Sequence, residues 1–179
     1  MDEKPEKSAR LFFALWPDGK TRGALAQAAA KLHRRCGGKQ TRTETIHLTL
    51  AFLGAVPLSH IDSLVAAAGK VAAPAFSMNL SKLGWWRHNR IAWAMPEAVP
   101  EELATLVGQL RANLESADVA FDAKPFVPHI TLLRKAHCPD EAFPPLAAPW
   151  QAREFVLVRS VSNAAGTAYE VIGNWALRG

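Results

Sequence analysis

Apolar and polar positions along the 179 residues change period from one segment to the next, and the changes mark out strands and helices. Arg10-Leu11-Phe12-Phe13-Ala14-Leu15-Trp16 is a nearly unbroken apolar run that predicts a buried strand, stopped by the turn residues Pro17-Asp18-Gly19. An Ala-rich helix is expected from Asp18 to His33, closed by Gly37 and Gly38. Thr45 to Leu53 reads as a second strand. Ser59 with Asp62 three residues later resembles a capping box, opening a helix to Val71. Phe76, Met78 and Leu80 alternate with polar residues, which is strand periodicity; Ile91 to Met95 is the expected partner, with Gly84 to Arg90 as the loop between them. Leu103, Leu106, Val107, Leu110 and Leu114 recur at helical spacing behind Pro100-Glu101-Glu102. Val127 to Leu133 is a further strand, and Phe155 to Val161 with Ala168 to Leu177 flank a hairpin turn at Asn163-Ala164-Ala165-Gly166. This order predicts an α+β fold, a sheet covered by helices on one side. No linker or low-complexity run divides residues 1–179, so one domain is expected, with only its first few residues loose.

Within that pattern one segment is repeated. Thr45-Ile46-His47-Leu48-Thr49-Leu50 is echoed by Val127-Pro128-His129-Ile130-Thr131-Leu132, one copy in each half of the chain. Alternate residues of a strand share a face, so His47 and Thr49 point one way while Ile46, Leu48, Leu50 and Phe52 point the other. His129 and Thr131 repeat the arrangement against Ile130 and Leu132. Two similar lobes, each lending one His–Thr strand to a shared cleft, account for the duplication.

Such a pair suits the opening of a cyclic phosphate. A neutral imidazole takes a proton from the attacking water and an imidazolium gives one to the departing oxygen; histidine titrates near neutrality, so both forms are at hand. Attacking and leaving oxygens lie on opposite sides of phosphorus, where two lobes place one histidine each. The hydroxyls of Thr49 and Thr131 are suited to the non-bridging oxygens. No metal or other cofactor is called for: a histidine metal site lacks acidic partners in the motifs, and threonine is a poor zinc ligand.

Composition changes the picture modestly. A net charge of +5 favours an anionic partner, and 49% hydrophobic residues supply a core. The apolar runs are too short to span a membrane, and the charged segment Met1 to Arg10 is followed by no signal-like stretch, so the cytoplasm is the expected location. Cys36 and Cys138 are far apart and read as two free thiols. Nothing suggests an obligate oligomer, and a monomer is expected.

The two His-x-Thr-x tetrapeptides resemble the signature of the 2H phosphoesterase superfamily. Their contexts, Arg10-Leu11-Phe12-Phe13-Ala14, His47-Leu48-Thr49-Leu50-Ala51-Phe52-Leu53-Gly54 and Pro128-His129-Ile130-Thr131-Leu132-Leu133-Arg134, are similar to those of the bacterial and archaeal RNA 2′,3′-cyclic phosphodiesterases, formerly called 2′-5′ RNA ligases. Gly166-x-x-Tyr169 and Trp175-x-Leu177 fit as well. The resemblance implies a bilobal fold with pseudo-twofold symmetry and antiparallel sheets lining a central cleft. It also implies hydrolysis of a terminal 2′,3′-cyclic phosphate on RNA to a 2′-phosphate, with reversible 2′-5′ ligation as an accompanying activity. By family convention His47 would donate to the leaving 3′-oxygen and His129 would activate water.

The family also places a basic residue behind the second motif, which here is Arg134. Its parity is opposite to that of His129, so a bulge or a strand end after Thr131 is needed to aim it at the cleft. Phe12 or Phe13 faces the cleft and is suited to stack on a terminal base, the other being core. Trp86 and Arg87, in the aromatic and basic stretch Gly84 to Arg90, either contact an RNA end or pack against the sheet. Lys39 and Arg42 read as solvated charges, and His33, His60, His88 and His137 as surface histidines. Two further readings stay open: the same histidines acting on another cyclic phosphate or a 2′-5′ oligonucleotide, and a non-catalytic RNA-binding module.

Overall fold

The computed structural model describes residues 6–178; the expectation of a loose start falls mainly on Met1–Pro5, outside the described residues. The chain runs β1 (Ser8–Leu15), α1 (Gly19–Cys36), β2 (Lys39–Gln40), β3 (Leu48–Pro57), α2 (Ile61–Gly69), β4 (Phe76–Trp86), β5 (Ile91–Pro96), α3 (Glu101–Ser116), β6 (Ile130–Arg134), β7 (Ala148–Ala152), β8 (Glu154–Asn163) and β9 (Gly166–Ala176). Every strand pairing is antiparallel, in the order β7-β4-β5-β6-β3-β1-β8-β9, with β2 added on β6. The α+β class is as read from the sequence.

The order divides into two lobes that mirror each other from the middle outward, β3-β1-β8-β9 on one side and β6-β5-β4-β7 on the other. Each lobe has the same kernel: a strand, a helix and the motif strand, β1-α1-β3 and β5-α3-β6. The lobes meet where Leu48 pairs with Ile130, and both residues are fully buried. Each helix crosses to the opposite lobe, α1 packing on β6 and β7 and α3 on β3. The crossing is anchored where the buried Thr21 hydroxyl of α1 donates to the Pro149 carbonyl of β7 at 2.7 Å.

Helices and cleft lie on opposite faces of the curled sheet. Leu11, Phe13 and Leu15 join the large core with Leu25, Ala29 and Leu32 of α1 and Leu103, Leu106 and Leu110 of α3. Burying each such side chain contributes on the order of 1.5–3 kcal/mol. Phe12, Ala14, Val156 and Val158 form a small second cluster on the other face, with Trp16 and Tyr169 against it.

Four local expectations are corrected. The motif strands begin later than the sequence suggests, because Thr43–Thr45 forms a 3₁₀ turn and β6 starts only at Ile130. Ser59 does not cap α2: its hydroxyl donates to Glu6, and His60 precedes the helix without a side-chain cap bond. β4 runs on to Trp86, so Gly84 to Arg90 is strand end plus a tight turn rather than a long loop. Cys36 and Cys138, read as free thiols, are joined in a disulfide, because α1 ends beside the segment after β6, where the His137 amide donates to the Cys36 carbonyl at 2.9 Å. No described helix is long and apolar enough to cross a membrane.

Candidate active site

Antiparallel running about the Leu48–Ile130 pair sets Thr49 next to His129 and His47 next to Thr131. The two motifs therefore present a four-cornered face, His and Thr alternating, at the pseudo-twofold axis. A cavity of about 600 Å³ opens over it, lined by both histidines, both threonines and Arg134, with Lys39, Arg42, Thr45, Thr167 and Tyr169 among its other walls. Among the described residues, no carboxylate lines this cavity.

The histidines are held alike. His47 Nδ1 lies 2.7 Å from the Thr45 carbonyl and His129 Nδ1 lies 2.8 Å from the Val127 carbonyl, in each case two residues back. A carbonyl only accepts, so each Nδ1 carries the proton and each Nε2 is left for the cavity. At His47 that nitrogen is 3.0 Å from the Thr49 hydroxyl, which donates to it while the ring is neutral.

Their surroundings differ. Trp16 stacks on His47 at 5.7 Å between centroids, with Phe12 at 4.9 Å and Tyr169 edge-on at 5.5 Å. Among the described aromatic residues His129 meets Trp86 alone, edge-on at 4.8 Å, and Trp93 stands behind Trp86 at 5.6 Å. Burial pushes the His47 pKa down to about 4, against its backbone hydrogen bond, and the charges of Arg134 and His129 push the same way. His129 is lowered too, by burial first and then by Arg134. Both shifts favour the neutral imidazole, so burial and the Arg134 charge oppose the charged form at each ring.

Arg134 reaches the cavity by the device its parity demanded. Ala92 pairs with Leu133 but Trp93 with Thr131, so Leu132 is an extra residue in β6. This bulge buries Leu132 and Leu133 in succession and turns Arg134 to the cleft. Phe12 lies on the cleft side against His47 and Tyr169, whereas Phe13 sits in the core against Phe155 and Trp175. Trp86 supports His129. Arg87 does not approach the cavity: its guanidinium pairs with Asp140 at 2.9 Å and lies over Trp85.

Lys39 and Arg42, read as solvated charges, are cavity walls. The two-residue strand that carries Lys39 has no periodicity to betray it. Trp16 was legible, since it shares parity with Phe12 and Ala14. The hairpin tip Ala165 to Thr167 closes the cavity from the other lobe, with Arg42 donating to the Thr167 carbonyl.

Against known proteins, an RNA 2′,3′-cyclic phosphodiesterase of Escherichia coli (strain K12) is 33% identical over 172 residues, covering 94% of this chain and 96% of that protein. The solved structure of E. coli LigT in apo form superposes with a TM-score of 0.88 at 30% identity, over 97% of this chain and 99% of the other. The same protein complexed with 3′-AMP gives 0.87 at 31% identity, over 96% and 99%. The family described as LigT-like phosphoesterase matches twice, at residues 15–93 and 94–169, once for each half of the fold. A doubled match, a shared architecture and one-third identity over nearly the whole chain lead to one conclusion: this chain belongs to the LigT-like phosphoesterase family, among the 2H phosphoesterases.

Proposed function

We propose that the protein hydrolyses the 2′,3′-cyclic phosphate at RNA ends to a 2′-phosphate, with His47 and His129 as acid and base. The observation that carries this reading is the matched anchoring of two imidazoles, each tied at Nδ1 to a carbonyl and free to present Nε2 to one cavity. Relatives named for this activity support the substrate class. His129 takes a proton from water as its oxygen bonds to phosphorus. The P–O3′ bond breaks on the opposite side, and His47 supplies the proton to the 3′-oxygen. Thr49, Thr131 and Arg134 hold the non-bridging oxygens.

The acid is charged by its ligand. An anionic phosphate between the rings offsets the Arg134 charge and favours the imidazolium that burial disfavours. A ribose 5′-hydroxyl in place of water yields a 2′-5′ linkage through the same steps, and the ligase activity follows from that substitution. Both motifs lie within one chain, so a monomer suffices. A cytoplasmic location belongs to the same proposal, with RNA ends as its only support.

The test is a short RNA with a 2′,3′-cyclic phosphate, incubated in excess EDTA, with the position of the product phosphate determined. Release of a 2′-phosphate end is expected, with His47→Ala and His129→Ala each losing about 10²–10⁴-fold. Binding without turnover by the unaltered protein would overturn the reading in favour of an RNA-binding module.

A further inference from the structure

Lys39 and Arg134 are cross-strand partners in the β2–β6 pair. Like charges placed directly opposite on neighbouring strands repel. Neither side chain makes an ion pair among the described residues, and no acid lines the cavity they share. The fold nevertheless ties this crossing down. Gly38 sits at φ +81°, and a Cβ there would lie 2.5 Å from the Arg134 carbonyl oxygen, so only glycine lets the two strands approach this closely. The Cys36–Cys138 disulfide clamps the same two segments on the other side of the glycines. Two unpaired cations held together in a groove without carboxylates point to an anion that is absent from the protein itself.

The two cations are placed for different tasks. Arg134 lines the cavity together with both motif histidines, and its charge lowers the pKa of each. Lys39 sits on β2 opposite Arg134, at the end of β6 away from His129, and lines the same cavity. Arg42, the remaining cation of the wall, is committed to Glu44 at 3.5 Å and to the Thr167 carbonyl.

We propose that Lys39 forms a second phosphate subsite, holding the phosphodiester on the 5′ side of the terminal nucleotide while Arg134 holds the terminal phosphate. This rests on the RNA-end reading above: in an RNA closed by a cyclic phosphate, the next phosphate along the strand is that diester. Lys39 then makes the site select oligonucleotide ends over mononucleotides.

Binding separates this from catalysis. Calorimetry would compare 3′-AMP with the dinucleotide ApA bearing a 3′-phosphate, at several salt concentrations, for the unaltered protein, Lys39→Ala and Lys39→Arg. The unaltered protein is expected to prefer the dinucleotide about tenfold, the scale of one charge-assisted contact. In Lys39→Ala that ratio should fall to about one, and the salt slope for the dinucleotide should drop by about 0.7, as for one phosphate contact on a single strand. Lys39→Arg should keep the preference. A ratio unchanged in Lys39→Ala, or no preference in the unaltered protein, overturns the subsite. Turnover of the cyclic-phosphate RNA is scored separately: its absence with a Lys39-dependent preference removes the diesterase reading and leaves the subsite standing.

Discussion

Leu50 and Leu132 occupy equivalent places in the two lobes: each is the extra residue of a β-bulge three positions beyond its motif histidine. In β3 the register steps from Phe13–Ala51 to Ala14–Thr49, skipping Leu50, as the β5–β6 register skips Leu132. Beyond each bulge the parity reverses. The residue then turned outward is Phe52 in the first lobe, with Arg10 over its ring at 4.9 Å, and Arg134 in the second. Phe52 was expected on the apolar face with Leu50, and the bulge is why it is exposed instead.

Arg134→Ala should lower kcat/KM by roughly 10–150-fold, the range for losing a hydrogen bond to a charged group. Because the guanidinium depresses both histidines, its removal should also raise both their pKa values. NMR titration of the imidazole signals checks the direction. A fall in either value would place Arg134 away from the reacting centre.

Phosphate binding should take up protons. Burial holds the His47 pKa down to about 4, which favours the neutral ring near neutrality, and a bound anion pulls it upward. Affinity for inorganic phosphate should weaken as pH rises through the neutral range. Calorimetry in buffers of different ionisation enthalpy reads the uptake directly. The same depression makes folding stability full above the unfolded value of 6.5 and progressively lower as pH falls toward 4.

Gly84 faces the Trp93 ring so closely that a Cβ there would lie 2.2 Å from it. Gly84→Ala must displace Trp93, and with it Trp86, the ring that backs His129. We expect a loss of about 1–3 kcal/mol in denaturant unfolding and a lower kcat with the pH profile of the His129 limb displaced. Unchanged kcat and pH profile in a destabilised variant would show that the tryptophan pair serves packing alone.

Reducing the Cys36–Cys138 disulfide opens a loop spanning 102 residues of sequence. Unfolding in the presence of a reductant should therefore be easier by about 2–5 kcal/mol. Cys36→Ser/Cys138→Ser should match the reduced protein, and equal stability with and without reductant would contradict the bond.

The alternation around His47 and His129 was enough to place both motifs, because the paired His–Thr pattern is local and repeated. The orientation of Arg134 was legible only as a condition, that a bulge must exist, since a bulge is a property of pairing and leaves no mark in one strand's own sequence. Lys39 and the strand Ala148–Ala152 went unread for the same reason: Lys39–Gln40 is a strand only through β6, and Ala148–Ala152 only through β4. The low pKa of His47 depends on Phe12 in β1, Trp16 just past its end and Tyr169 in β9 converging on one ring, a burial that no segment reveals alone.

The seam at Leu48 and Ile130 lies on the pseudo-symmetry axis, and for the reaction proposed above this bears on regiochemistry. A cyclic phosphate carries two ester oxygens, and four repeated corners of His and Thr offer each of them the same reception. Which ester opens is then decided by the residues that the lobes do not share: a cation against a phenyl ring beyond the bulges, and three aromatic neighbours at His47 against one at His129. On that proposal the duplicated half supplies the chemistry, and the differences between the copies supply its direction.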